Sequence, residues 1–107
     1  MKKYSSIYFK RSRIMHNIFY LPQARKDLKA IKDFIGKDNA GMSIRVIESI
    51  LFFINNLSLF PLIGKEVELK LWLREIIQPT YKYRIIYEFD GKDIRIYAVF
   101  KYKNIDL

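Results

Sequence analysis

The sequence has 107 residues, of which 50% are hydrophobic and 29% are charged, so a disordered chain is excluded and one folded domain is expected. It contains no cysteine and a single histidine, His16. Disulfides, thiolate nucleophiles and sites built from several histidines are thereby excluded, and we expect no metal site and no cofactor. No uninterrupted apolar stretch of about 18 residues predicts a membrane span. A reducing, cytoplasmic setting is expected.

The formal net charge is +9, which favours an anionic partner such as nucleic acid, a lipid surface or an acidic protein. Five of the basic residues, and no acidic residue, fall within residues 1–14, so residues 15–107 carry +4. Three interpretations of this leader are open: a basic arm that contacts nucleic acid, a disordered extension, or sequence upstream of a true start at Met15. Residues 15–107 are predicted to form a single domain.

The first predicted elements are a strand at residues 17–21 and a helix whose first turn contains Pro22. Apolar residues then follow at helical spacing, at Ala24, Leu28, Ile31 and Ile35. Gly36 is the predicted stop, and Asp38 or Asn39 is the predicted cap of a second helix. The apolar stripe of that helix is predicted at Ile44, Ile47, Leu51 and Ile54. Because few residues connect the two helices, we expect an antiparallel hairpin.

From residue 66 the apolar residues alternate with polar ones, which predicts strands with one buried face. The first of these strands covers residues 66–74, and its buried set is Val67, Leu69, Leu71 and Leu73. The next follows a turn at Pro79 and Thr80 and buries Tyr83, Ile85, Tyr87 and Phe89. A turn at residues 90–92 leads to the last strand, which buries Ile94, Ile96, Ala98 and Phe100. The prediction is therefore a two-layer α+β domain in which the helical hairpin covers a three-stranded antiparallel meander.

The same alternation predicts a set of cations and one aromatic residue on the uncovered face of the sheet, namely Arg74, Lys82, Arg84, Arg95, Tyr97 and Lys101. Guanidinium groups pair with phosphate oxygens, and aromatic rings stack on unpaired bases, so this face is a candidate nucleic-acid surface. The alternative is an ordinary solvated sheet face, since any such face carries Lys and Arg.

Five segments together resemble the RelE/ParE superfamily of toxins. Residues 21–35, LPQARKDLKAIKDFI, are similar to the opening helix S-P-x-A-x-x-D-L-x-x-I-x-x-Y-I, and residues 57–65, LSLFPLIGK, to L-x-x-x-P-x-x-G-[RK]. LREI at residues 73–76 and YKYRIIYEF at residues 81–89 are similar to the R-E-L and Y-R-I-x-Y strands. DIRIYAVFK at residues 93–101 is similar to the closing strand. Each motif is short, but their order and spacing agree over nearly all of residues 17–103.

The resemblance implies the toxin of a type II toxin–antitoxin pair, with a RelE/ParE-like fold and a cognate antitoxin that forms a hetero-oligomer with it. ParE-like members inhibit DNA gyrase, whereas RelE-like members cut messenger RNA on the ribosome. The long helical hairpin slightly favours the ParE branch. A non-toxic nucleic-acid-binding module of the same fold is a third possibility.

The resemblance also implies site residues. If the chain is a ribonuclease, Arg74 and Arg84 would stabilise charge on the scissile phosphate, and Lys101 or Tyr102 would transfer protons. Lys101 stands where the family has a terminal-strand histidine. Further candidates for contacts with nucleic acid or a target are Lys82, Arg95, Tyr97 and Lys103. Whether the chain is an enzyme at all stays open at this point.

Overall fold

The computed structural model describes residues 15–101. The leader at residues 1–14 and the candidates Tyr102 and Lys103 therefore lie outside the described residues. The elements in chain order are β1 (Ile18–Tyr20), α1 (Pro22–Gly36), α2 (Ala40–Asn55), a 3-10 turn (Asn56–Ser58), β2 (Lys65–Val67), β3 (Lys70–Ile77), β4 (Tyr83–Phe89) and β5 (Ile94–Lys101). This order confirms the predicted α+β class.

The described strands form one five-stranded sheet in the order β1-β5-β4-β3-β2. Strand β1 runs parallel to β5, and the other neighbouring strands are antiparallel. The predicted meander is present as β3, β4 and β5. The sheet face that packs on the helices carries Tyr83, Ile85, Tyr87, Ile96 and Val99, all buried, and we call it the helix face. The opposite face is the open face.

The predicted strand at residues 66–74 is wrong, because a two-residue turn at Glu68 and Leu69 divides it into β2 and β3. Leu69 has a φ of 72°, in the left-handed region, which reverses the chain there. The pairing is then irregular, since Glu66 lies opposite Arg74 while Val67 lies opposite Lys70. Alternation of residue types across such a break no longer tells which face a side chain occupies.

Helix α1 begins at Pro22, and its predicted stripe is confirmed, with Ala24 fully buried and the other three residues packed against the core. The cap of α2 is Asn39, whose Oδ1 accepts the Met42 N–H at 2.9 Å. The predicted stripe of α2 is rotated, since the buried residues are Ser43, Val46, Ile50 and Ile54. Apolar residues surround most of this helix, so their spacing cannot identify the side that packs.

Helix α2 supplies the centre of the core, where Ile50 and Ile54 are fully buried against the sheet. Together with the 3-10 turn, residues Ala40–Ser58 have a mean hydropathy of 1.2, so by length and composition they could cross a membrane. A core helix of a globular domain has the same properties, and the packing of Ile50 and Ile54 gives this helix that role here.

Candidate functional site

Arg84 lies on the open face, as predicted, but its guanidinium is paired with a carboxylate of the same chain. It lies opposite Ile77 in the β3–β4 register and forms an ion pair and hydrogen bond with Glu75 on the neighbouring strand. Its Cζ also lies 5.7 Å from the centre of the Phe100 ring on the other side. Less than a third of the side chain is exposed. The arginine expected to face a phosphate is thus held by a carboxylate of the same chain.

A second charged group on the open face is built around Arg95. This arginine donates to Asp90 Oδ2 at 2.8 Å and to Glu88 Oε1 at 3.3 Å, and the Tyr97 hydroxyl donates to the same Glu88 oxygen at 3.0 Å. The hydrogen bond to Glu88 is the main reason that the pKa of Tyr97 is raised. We call the ion pairs Arg84–Glu75 and Arg95–Glu88–Asp90 the charge ladder. The ladder has no excess of cations.

The prediction that Arg74 shares the open face is wrong. Arg74 lies opposite Tyr87, and residues directly opposite each other in an antiparallel pair point to the same side of the sheet. Arg74 therefore belongs to the helix face and Arg84 to the open face. The Arg74 Nη1 donates to the backbone carbonyl of Gly64 at 2.7 Å and to that of Leu62 at 3.3 Å, so it holds a loop. The irregular pairing of β2 with β3 is the physical reason for the error.

The prediction is also wrong for Lys101, which lies opposite Tyr83 and so is on the helix-face side of the sheet. Its ammonium donates to the Tyr81 carbonyl at 2.6 Å and lies 4.8 Å from the centre of the Tyr83 ring. Arg74 lies opposite Tyr87, four residues beyond Tyr83 on β4, so the backbones of Arg74 and Lys101 are separated by roughly 13 Å along the strand direction. Lys82 is exposed in the turn before β4, with a φ of 65°, rather than on a strand face.

The apolar residues of β3 are displaced in the same way as Arg74. Ile76 lies opposite Ile85 and packs against the core. Leu73, expected to face the helices, lies opposite Glu88 on the open face. The whole of β3 is thus inverted relative to its predicted faces, which accounts for the misplacement of Arg74 as well.

The loop at residues 61–64 is absent from the predicted site, although its backbone contacts a buried tyrosine hydroxyl. The Tyr87 hydroxyl accepts the Gly64 N–H at 2.8 Å and donates to the Pro61 carbonyl at 2.8 Å. Burial raises the pKa of Tyr87, so the hydroxyl stays protonated and can donate. A Cβ at Gly64 would lie 2.5 Å from the Tyr87 hydroxyl oxygen, which explains the glycine. The Pro61 and Gly64 pair indicated a turn but not its tyrosine anchor.

The structure also contains a groove of about 660 Å³ between α1, α2 and the ends of β4 and β5. Its walls are mostly apolar and include Phe34, Met42 and Phe100. Asp27 at its edge accepts the Val99 N–H at 2.9 Å and so satisfies a backbone donor of β5. Among residues 15–101 no group of three acidic or histidine side chains could hold a metal ion.

Comparison with known proteins identifies the family. The family model described as the ParE toxin of the type II toxin–antitoxin system parDE matches residues 18–105. The chain belongs to the ParE toxin family. It is accordingly the toxin component of a type II toxin–antitoxin system, and the RelE/ParE resemblance of its motifs is confirmed.

One of two similar solved structures supports this fold. The chromosomal ParDE toxin–antitoxin system of P. aeruginosa superposes with a TM-score of 0.72 at 15% identity, covering 83% of this chain and 98% of that one. The YoeB dimer of Staphylococcus aureus gives a TM-score of 0.49 at 22% identity, covering 84% of this chain and 99% of that one. A comparison with curated protein sequences finds no match. At these identities the ParDE similarity describes the fold of this ParE family member.

Proposed function

We propose that this ParE family toxin arrests bacterial growth by inhibiting DNA gyrase, and that it does so by binding rather than by cutting RNA. The observation that carries this proposal is the position of the two arginines on which RNA cleavage would depend. Arg74 and Arg84 point to opposite sides of the sheet, and each is hydrogen-bonded to a group of the same chain.

Cleavage of a phosphodiester needs several polar groups at one phosphorus atom, at distances of a few ångströms and in a fixed orientation. The charge of Arg84 is paired with Glu75, and Arg74 is tied to the loop through the Gly64 carbonyl, so neither arginine is held ready for a phosphate. Lys101, the candidate proton donor, is across the sheet from Arg84. Inhibition of a target by binding has no such geometric requirement, so this arrangement favours the gyrase mechanism.

The remaining predicted contacts with the target are also part of this proposal, and they differ in how accessible their side chains are. Lys82 is exposed and available to a partner, whereas Arg95 and Tyr97 would have to be shared with Glu88. Lys103 lies outside the described residues. The toxin would act in the cytoplasm, where it would be held inactive in a hetero-oligomer with a cognate antitoxin.

The test is a pair of assays on the purified toxin, released from its antitoxin. We expect it to block supercoiling of relaxed plasmid by DNA gyrase, and we expect the antitoxin to reverse the block. In parallel, messenger RNA on translating ribosomes should stay intact at the same toxin concentration. Cleavage of ribosome-bound messenger without any effect on supercoiling would overturn the proposal in favour of the RelE-like mechanism.

Arg84→Ala serves as the matched variant in both assays. Because Arg84 pairs with Glu75 and is proposed to touch no target, the variant should inhibit supercoiling as well as the wild type does. If the chain were a ribonuclease, the same variant would lose messenger cleavage, since the arginine matches the phosphate-contacting residue of that branch.

A further inference from the structure

Five large apolar side chains are exposed at the β2 end of the sheet, on the loop before β2 and on the β2–β3 hairpin. We call them the hairpin patch: Leu62, Ile63, Leu69, Leu71 and Trp72. Leu69 is 92% exposed, and the other four are between 58% and 68% exposed. So many large exposed apolar side chains within residues 62–72 are unusual on a small domain and mark an interaction site.

Leu69 carries a second, independent sign of function. Its φ of 72° is a conformation that glycine or asparagine adopts readily and that a leucine adopts at a cost in steric strain. The free protein gains nothing from a leucine here, since the side chain is almost wholly in water. Strained residues that persist without a structural benefit cluster at functional sites, and the exposed tip of the hairpin fits that pattern.

The loop that carries Leu62 and Ile63 is held by hydrogen bonds. Tyr87 and Arg74 together hold the carbonyls of Pro61, Leu62 and Gly64 and the Gly64 N–H. Leu62 and Ile63 therefore project from an anchored loop. An anchored loop loses little entropy on binding, which favours a high-affinity protein contact.

The charges around the patch indicate the chemistry of the partner. The hairpin carries Lys65, Glu66, Glu68 and Lys70, two of each sign. A polyanion such as DNA or RNA would gain no net attraction from this surface. A folded protein with an apolar pocket and a mixed-charge rim is the partner that fits.

We propose that the hairpin patch is the surface with which this toxin binds its protein target, with Leu69 and Trp72 inserted into the target. The target is DNA gyrase, so this inference rests on the function proposed above. It adds that the toxin contacts gyrase mainly through the hairpin patch and not through the cations of the sheet.

The experiment compares two variants with the wild-type toxin in the gyrase supercoiling assay. Leu69→Asn removes the apolar side chain but keeps a residue suited to positive φ, so its melting temperature should be equal to or higher than that of the wild type. We expect Leu69→Asn combined with Trp72→Gln to raise the toxin concentration for half-inhibition by at least about tenfold. The matched control is Phe52→Gln, which changes a side chain 71% exposed on α2 and should leave inhibition unchanged.

Each other outcome has a distinct meaning. If the wild type inhibits gyrase and the double variant inhibits it equally, the patch is not the contact and only this inference falls. If the wild type does not inhibit gyrase, both the inference and the proposed function fall. If the double variant keeps its inhibition but loses antitoxin binding, or loses a wild-type dimer seen by sedimentation, the patch serves that other partner and the inference is overturned.

Discussion

Polar groups are satisfied in opposite ways in two regions of the sheet. On the open face, the charge ladder pairs arginines with carboxylates at the surface, within reach of solvent. At the loop of residues 61–64, a buried tyrosine hydroxyl and Arg74 hold backbone groups that have little access to water. Ion pairs that solvent can reach contribute less to stability than buried hydrogen bonds, which are costly to break. The loop should therefore be sensitive to substitution and the ladder tolerant of it.

Gly64→Ala should give the largest effect. The added Cβ would lie 2.5 Å from the Tyr87 hydroxyl and 2.7 Å from its ring, so either the loop or the ring must move. Overpacking of this kind, with loss of the hydroxyl hydrogen bonds, should lower the free energy of unfolding by about 3 kcal/mol. Thermal and urea unfolding of the purified variant measure this. A loss below about 1 kcal/mol would mean that the loop is compliant and would remove the contrast with the open face.

Tyr87→Phe should come next. The ring stays in the core, but the Gly64 N–H loses its acceptor and the Pro61 carbonyl loses its donor. Leaving these groups unsatisfied should cost about 2 kcal/mol in the same unfolding measurements. Tyr97→Phe on the open face is the matched control, since its hydroxyl donates to Glu88 near solvent and its loss should cost less. Equal losses in the two variants would contradict the comparison.

Local patterns in the sequence sufficed for the helices and for most of the strands. Pro22, Asn39 and the turn at Asp90 act through their own backbone geometry and nearest neighbours, so their effects can be read from short segments. The same is true of the alternation in β4, where Tyr83, Ile85 and Tyr87 are buried as predicted. The need to cover the apolar face of the sheet joined these local elements into the correct two-layer fold, and the family resemblance agrees with it.

The candidate site could not be predicted as well, because it depends on which face of β3 meets the helices. The turn at Leu69, a residue type that turns do not favour, interrupts the alternation. The faces of β3 are therefore opposite to those predicted, and Arg74 lies on the other side of the sheet. The partners of Arg84 and Arg95 depend on cross-strand register, which composition does not encode. A count of cations therefore predicted a basic surface where the structure has arginines paired with carboxylates.

Arg84→Ala tests the ladder directly. The guanidinium is less than a third exposed and Glu75 is more enclosed, so removal of the arginine leaves a carboxylate without its partner. We expect a loss of about 1 kcal/mol in unfolding free energy, because solvent and neighbouring groups compensate part of the pair. A double-mutant cycle with Glu75→Ala isolates the pairwise energy. A coupling energy well above that of exposed pairs would show that the open face is held as firmly as the loop.

Asp90→Asn should give the smallest effect, and its sign depends on pH. The N–H groups of Asp93 and Lys92 and the guanidinium of Arg95 favour the carboxylate, so the pKa of Asp90 is lowered well below its ordinary value. A depressed folded-state pKa contributes stability above the unfolded value of about 3.9, and this contribution is lost as the pH falls towards the folded value. The asparagine oxygen can still accept the N–H groups, but it cannot pair with Arg95 as an ion. The wild type should therefore melt slightly higher than the variant at about pH 7, and the difference should shrink below about pH 4. A difference that stays constant or widens on acidification would mean that the Asp90 charge does not stabilise this end of the ladder.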